Sequence, residues 1–266
     1  MDLGLTGRLA LVTGGDSGIG FHTAQRLLRE GARVALTDMN QKSLDAAVEK
    51  LGHYGDVKGF AADLTDPARV HTLHEAVRAG MGDPEIIVSA AGITGPTGFF
   101  HDLTEEDWRK VLDVNFLTAL RVARAFIPAM RRKGWGRVVF IASEDAVQPY
   151  IDELPYCASK AALLSLSKGL SNTYGPDGIT VNCVSPAFIE TPMTDAMMEK
   201  RAKRDGVDVD TAVKTFIEKE RPMMTIRRRG RAEEVADAIA CLVSASASFT
   251  TGAVLRVDGG SVGTMV

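Results

Sequence analysis

Hydrophobic positions along this chain fall into two patterns that alternate from end to end. Short runs of β-branched and other apolar residues give way to stretches in which apolar residues recur every three or four positions. The runs predict strands at Leu9–Thr13, Arg33–Asp38, Val57–Asp63, Ile86–Ala90, Arg137–Ala142, Thr180–Val184 and Val254–Val257. The other stretches predict helices at Gly20–Glu30, Gln41–Leu51, Pro67–Met81, Glu105–Arg132, Tyr156–Tyr174 and Ala232–Ser244. Ile86-Ile87-Val88 and Val138-Val139-Phe140-Ile141 are apolar throughout, as strands are when helices cover both faces of a parallel sheet. The series predicts an α/β fold with a doubly wound parallel sheet of about seven strands.

Local chemistry supports the boundaries. Asn40 can cap the second helix, Thr104-Glu105-Glu106-Asp107 resembles a capping box with Asp in place of Glu, and Gly134 or Gly175-Pro176 can end the long helices. No linker, low-complexity tract or internal repeat interrupts the series, so residues 1–266 read as a single domain. The exception is 191–231, which is Met-rich and charged and carries no strand signal. Its apolar positions Met193, Met197, Met198, Val213, Phe216 and Ile217 suit short amphipathic helices. These form either a solvated excursion or a substrate-binding lid, and the lid is favoured because loops at the carboxyl ends of parallel strands usually build the site.

Composition narrows the partners. The 266 residues are 45% hydrophobic and 24% charged, an ordinary globular balance. With 31 Lys and Arg against 34 Asp and Glu, no basic surplus exists to neutralise a phosphate backbone, so nucleic acid is not an expected partner. No run approaches the roughly 18 apolar residues of a membrane span, and Met1-Asp2-Leu3-Gly4-Leu5 lacks the pattern of a secretory signal. A cytoplasmic protein without membrane contact is expected. Cys157, Cys183 and Cys241 form no C-x-x-C and imply reduced, mostly buried thiols. His71 and His74 share a helix face, but with no further ligand beside them they read as surface residues and no metal is expected. The absence of a Walker loop excludes the commonest NTPase site.

Thr13-Gly14-Gly15-Asp16-Ser17-Gly18-Ile19-Gly20 follows the first strand and opens a helix. Glycines let backbone approach a pyrophosphate, and free N–H groups at the helix start hold the anion. Asp38 closes the second strand, where a carboxylate accepts from the ribose hydroxyls of NAD and repels the 2′-phosphate of NADP. No Arg or Lys in the loop or directly after Asp38 reverses that preference, so NAD is expected rather than NADP.

Tyr156-Cys157-Ala158-Ser159-Lys160 places a phenol and an ammonium one helical turn apart. A unit charge about 4 Å away is worth up to roughly 4 kcal/mol near a protein surface, enough to draw the phenol toward neutral pH. Tyr156 would then be general base for alcohol oxidation and general acid for carbonyl reduction. Cys157 points to another helix face and reads as packing.

The Thr-Gly-x-x-x-Gly-Ile-Gly spacing, followed in order by Asp38, Asn115, Ser143, Tyr156 and Lys160, resembles the fingerprint of short-chain dehydrogenases/reductases (SDR) across nearly the whole chain. The resemblance implies a Rossmann-like fold and an NAD(H)-dependent alcohol dehydrogenase or ketoreductase acting on CH–OH donors. Its catalytic residues would be Asn115, Ser143, Tyr156 and Lys160. Ser143 would hydrogen-bond the substrate oxygen, Lys160 would also bind the nicotinamide ribose, and Asn115 would anchor a water in the proton path. Implied cofactor contacts are Gly14, Asp16, Ser17, Gly18, Ile19, Gly20, Asp38, Ala91, Gly92, Tyr156 and Lys160, with Asp63 and Leu64 at the adenine and Ile189 and Thr191 at the carboxamide. Asp63 could instead cap a helix, and Ile189 or Thr191 could be a plain loop residue.

Two positions depart from the family pattern. Asn-Asn-Ala-Gly reads Ser89-Ala90-Ala91-Gly92, losing an Asn that stabilises the central sheet, and Pro-Gly reads Pro186-Ala187, removing a permissive backbone position.

The substrate is a small alcohol or ketone. Polar residues expected on the pocket rim, Glu144, Gln148, Tyr150 and Glu190, point to a sugar or polyol. The alternatives are a 3-oxoacyl-thioester reductase, which would present Arg131, Arg132 and Lys133 to an acidic carrier protein, and a non-catalytic NAD-sensing module. Ala119, Ala123, Ala161, Ala162, Leu166 and Leu170 spread apolar surface over a wide arc of the two long helices, and with the resemblance imply a homotetramer.

Overall fold

The computed structural model describes residues 2–265. Its strands are β1 (Leu9–Thr13), β2 (Arg33–Thr37), β3 (Val57–Gly59), β4 (Ile86–Ser89), β5 (Gly136–Ile141), β6 (Ile179–Pro186), β7 (Ile189–Glu190), β8 (Gly230–Arg231) and β9 (Val254–Val257). Seven of them form one parallel sheet in the order β3-β2-β1-β4-β5-β6-β9. The chain winds outward from β1 to β3, then crosses back to β4 on the other side of β1. That reversal opens a crevice at the carboxyl ends of β1 and β4, the place where open α/β sheets hold ligands.

Successive side chains of each strand supply opposite faces, and both faces are dry. Val12, Leu36 and Val88 pack with Leu27 of α1 (Gly18–Arg29), Leu44 of α2 (Gln41–Leu51) and Ile239 of α9 (Ala232–Val243). Leu11, Ile87 and Phe140 face the other way, against Leu73 of α3 (Pro67–Gly80), Phe126 of α5 (Thr118–Lys133) and Leu163 of α6 (Leu154–Tyr174). Double coverage explains the continuously apolar strands.

The expected caps are present. Asn40 accepts from Ser43 N at 3.2 Å, and Thr104 and Asp107 form a reciprocal box at the start of α4 (Glu105–Leu112). Gly134 ends α5 with a φ of 66°. Three readings need correction. β3 stops at Gly59, although Phe60 N and Ala62 N still donate to Leu36 O and Asp38 O at 2.8 and 2.9 Å. The expected single helix Glu105–Arg132 contains a π turn at Asp113–Leu117 between α4 and α5. The segment 191–231 holds α7 (Pro192–Asp205) and α8 (Val209–Glu220), and it also holds β8, which pairs with β7 although no strand signal precedes α9. Of the three thiols, Cys241 is exposed.

Neither departure from the family pattern disturbs the sheet. Among the described residues no non-glycine takes a positive φ, so Ala187 fits an ordinary backbone. Where an Asn side chain is missing at Ser89 and Ala90, buried Thr13 joins β1 to β4: its Oγ1 accepts from Ala90 N and Ala91 N, both at 3.2 Å. Thr13→Val keeps the shape and strands two amides, so stability should fall by about 2 kcal/mol, read as a lower urea midpoint at unchanged slope.

Candidate active site

The register sets Thr13 beside Ser89 and Ser89 beside Phe140, so the segments leaving β1, β4 and β5 emerge side by side. From β1 comes the glycine loop. Gly14 takes a φ of 62°, and a Cβ there would stand 2.7 Å from Ala91 N, so only glycine lets the loop lie against the chain leaving β4. A Cβ on Gly20 would strike the Gly14 carbonyl oxygen, which holds α1 tight beneath the loop. Ser17 is the N-cap of α1, yet its hydroxyl donates to Asp16 Oδ1 at 2.9 Å and makes no cap bond. The first turn, Gly18, Ile19 and Gly20, contains no acidic residue and takes no side-chain cap. Such a cradle suits a pyrophosphate anion.

At the end of β2, Asp38 accepts from Met39 N at 2.7 Å. Burial and the neighbouring Asp16 carboxylate push its carboxyl above the usual range. Asp16 is itself tied to α2 by Ser43 Oγ at 2.6 Å. Two carboxylates thus share one corner. Farther along the edge, Asp63 Oδ1 takes the amide and hydroxyl of Thr65, at 2.9 and 2.7 Å, and these bonds hold its carboxyl low. Asp66, rather than Asp63, caps α3, and Leu64 is buried.

The π turn carries Asn115 inward. Its Oδ1 accepts from Ile93 N at 2.8 Å, and its Nδ2 donates to Ile93 O at 2.9 Å and Ser159 Oγ at 3.0 Å, clamping the chain after Gly92 to α6. On α6, Lys160 Nζ donates to Ile141 O at 2.8 Å and lies 5.4 Å from the centre of the Tyr156 ring. Burial brings this ammonium down to about 8, against the opposing pull of Asp145. Ser143, at the end of β5, donates to Asp145 Oδ1 at 2.8 Å. The structure therefore brings Asn115, Ser143, Tyr156 and Lys160 together with Ala91 and Gly92.

Tyr156 departs from the expectation of a phenol drawn down by its lysine. Burial, then the Asp145 carboxylate, push it up, and the Ser143 hydroxyl pulls it down by less. Desolvation of the phenolate outweighs the ammonium here.

The segment 191–231 begins against the glycine loop. A Cβ on Gly18 would lie 3.3 Å from Thr191 Cγ2, and Thr191 is the N-cap of α7, in a box with Thr194. Ile189 is buried and its carbonyl accepts from Thr194 Oγ1 at 2.5 Å. Met198, Phe216, Ile217 and Met224 pack with Phe188 into a small core of their own, while Met193 and Met223 stay exposed. The basic run is neutralised locally: Arg229 bridges Glu190 at 3.0 Å and Asp195 at 2.6 Å, and Arg228 pairs with Glu234 at 2.7 Å. A cleft of about 930 Å³ lies between α8 and this turn, away from Ser143.

The expected polar rim is corrected too. Glu144 is buried and paired with Arg221 at 3.1 Å, and Arg221 stacks 3.5 Å from the Tyr150 ring centre. Gln148 donates to Tyr150 Oη and Ser261 O, both at 3.1 Å. Sequence reading missed Asp145, Glu153 and Arg221, and only the acidic pair after Ser143 could have signalled them.

Burial, followed by Asp145, pushes Glu153 up to about 8. An acid whose folded pKa is raised contributes stability that is complete below its ordinary value and is lost as pH rises through about 8. The urea midpoint should therefore decline across that window in the native protein and decline less in Glu153→Gln.

Known proteins share this sequence pattern and fold. A family model described as enoyl-(acyl carrier protein) reductase matches residues 14–262. The chain is 38% identical over 262 residues to an uncharacterized oxidoreductase, YvrD, of Bacillus subtilis, covering 98% of this chain and 99% of that one. It is 34% identical over 254 residues to the 3-oxoacyl-acyl-carrier-protein reductase FabG of Escherichia coli, covering 96% and 97%. L-sorbose reductase from Gluconobacter frateurii, solved with NADPH and L-sorbose, superposes with a TM-score of 0.94 at 32% identity over the full length of both chains. Matches this complete, on a sheet wound as expected, make the chain an oxidoreductase of the short-chain dehydrogenase/reductase family.

Proposed function

We propose that this protein is an NAD-dependent oxidoreductase that interconverts a secondary alcohol and its ketone, with sugars or polyols as the substrate class. The observation that carries the reading is the convergence of Asn115, Ser143, Tyr156 and Lys160 beside the glycine loop. When bound, the dinucleotide supplies the hydride acceptor for oxidation and the donor for reduction. Gly14 and the first turn of α1 hold its pyrophosphate, Asp38 its ribose, Asp63 and Leu64 its adenine, and Ile189 and Thr191 its carboxamide. Tyr156 takes the hydroxyl proton in oxidation and returns it in reduction. Ser143 holds the substrate oxygen, Lys160 keeps a positive charge beside the phenol, and Asn115 fixes the proton path by locking α6 to the chain after β4. Residues 191–231 close over the substrate as a lid.

The Asp16 and Asp38 corner supports NAD, because a 2′-phosphate would meet two carboxylates there. NADP is the second reading, favoured by the NADPH in L-sorbose reductase. Similarity to that enzyme supports a ketose or polyol substrate. Similarity to FabG supports a thioester instead, but two of the three basic groups available to an acidic carrier are engaged: Arg131 pairs with Asp177 at 2.8 Å and Lys133 donates to Asp83 O. A complete Asn-Ser-Tyr-Lys set argues against a non-catalytic sensor. Among the described residues no helix is long and apolar enough to cross a membrane. Exposed Val254 and Leu255 on the outermost strand, with exposed Phe249, support the expected homotetramer.

A screen of alcohols with NAD, followed by NADH absorbance, should favour polyols, and Tyr156→Phe should bind NAD nearly as well while losing about a thousandfold or more in turnover. Hits confined to acyl thioesters, or an active Tyr156→Phe, would refute the respective claim. Asp38→Ala should weaken NAD and narrow the gap to NADP in a side-by-side KM measurement. An unchanged ratio would place ribose recognition elsewhere.

A further inference from the structure

Ser143 caps a short turn, Glu144–Ala146, at the end of β5, so whatever places that turn also places its hydroxyl. Backbone bonds close the turn on itself: Ala146 N donates to Ser143 O and Gln148 N to Glu144 O, at 3.1 and 3.0 Å. Those bonds keep its shape and do not locate it in the molecule. Glu144 does: its side chain is buried, and Oε1 accepts from Arg221 Nε at 3.1 Å. Burial pushes that carboxyl up, and the guanidinium opposes it. Arg221 is itself well anchored where α8 ends. It stacks 3.5 Å from the centre of the Tyr150 ring, lies 4.9 Å from that of Phe216, and donates to Glu220 O at 3.1 Å. Gln148 donates to Tyr150 Oη and to Ser261 O and accepts from Gly263 N, so the last turn of the chain backs the ring that Arg221 rests on.

We propose that Arg221 is a positioning residue for Ser143: by holding Glu144 beside Tyr150, it sets where the turn after β5 presents the serine hydroxyl to the substrate oxygen. This rests on the alcohol–ketone reading above. A guanidinium suits the task because it is planar and its donors point in fixed directions, whereas an ammonium on a flexible stem has neither property. Without it the Glu144 carboxylate would be a buried charge with no cation beside it. It would turn toward water or take up a proton, and the adjoining turn would move with it. A misplacement of about 1 Å near the reacting atoms costs on the order of a hundredfold in rate. Residue 221 thereby joins α8 to the catalytic turn across 77 positions of sequence.

The test separates placement from stability. Arg221→Met should lower kcat for sorbitol oxidation with NAD about a hundredfold, with the sorbitol KM and the NAD Kd each within about threefold of native. It should also lower the urea midpoint, because it strands Glu144. The double variant Arg221→Met with Glu144→Leu replaces the pair by apolar groups. Its midpoint should return toward the native value while kcat stays about tenfold low or lower, since apolar packing gives the turn no directed bond. This variant carries the test if Arg221→Met does not fold. Arg8→Met is the control for destabilisation. It removes the pairing with Glu85 and the stack on Trp135, an ion pair and ring contact of the same kind at the amino ends of β1 and β4, so it should lower the midpoint and leave kcat unchanged.

A kcat that recovers with the midpoint in the double variant, or one that falls as far in Arg8→Met, overturns the proposal. Crystal structures of the native protein and the double variant read the same point without turnover: Ser143 Oγ should shift by about 1 Å relative to Tyr156 Oη. An unmoved Ser143 sinks this inference alone. A native protein inactive on every alcohol would sink the alcohol–ketone reading and leave that geometric comparison to decide whether Arg221 places the serine.

Discussion

A lysine ammonium buried at the carboxyl edge of a parallel sheet constrains everything around it. Lys160 is 5% exposed and its hydrogen bond goes to a backbone carbonyl, that of Ile141, with no carboxylate in contact. Desolvating a cation is costly, and the cost registers as an ammonium brought down to about 8. The site is shaped to hold that charge. Gly92 has no side chain, and a Cβ there would stand 3.6 Å from Nζ and 3.2 Å from Asn115 Oδ1. Asp145 supplies negative charge at longer range, and the same charge raises Tyr156. One carboxylate thus stabilises the ammonium and destabilises the phenolate.

The π turn solves a related geometric problem. A regular helix from Glu105 to Lys133 would keep a fixed register, with each residue following its neighbour by the same rotation. One wide turn, closed by Thr118 N on Asp113 O, shifts that register and lets Asn115 reach Ile93 and Ser159 at once. Asn115 is the only described residue of that turn that is fully buried. Such bulges concentrate at functional sites because the lost helical bond is tolerated only where another contact replaces it.

These features explain what was readable in the sequence. Periodicity placed six of the seven sheet strands, and five of the six expected helices, to within two residues, because burial on two faces leaves a strong apolar signal, and caps such as Asn40 and the Thr104–Asp107 box act through neighbours three residues away. The site residues were readable where spacing is local, as with Tyr156 and Lys160 or the glycine loop. What escaped depends on distant partners. Arg221 meets Glu144 across 77 positions, and no local pattern marks it. The phenol's pKa was misread because a one-turn spacing reports an ion's nearness and not how dry the surroundings are. Glu144, Gln148 and Tyr150 looked like a polar rim for the same reason: their identities were visible and their partners were not.

The cofactor corner shows how such partners change a conclusion without changing a residue. Asp38 alone would present one negative charge to the ribose. The fold sets Asp16 beside it, and Ser17 and Ser43 hold Asp16 in place at 2.9 and 2.6 Å. Burial first, and then the Asp16 charge, raises the Asp38 carboxyl. For a nucleotide whose ribose carries two hydroxyls, two fixed acceptors are an advantage, since each hydroxyl has a proton to give. For a nucleotide carrying a phosphate, the same corner would bring more like charge to carboxylates already repelling each other, and no arginine or lysine in the loop offsets it. On the proposed NAD reading, the discrimination would lie in a pair of side chains rather than in Asp38 alone, with Asp16 held by two serines.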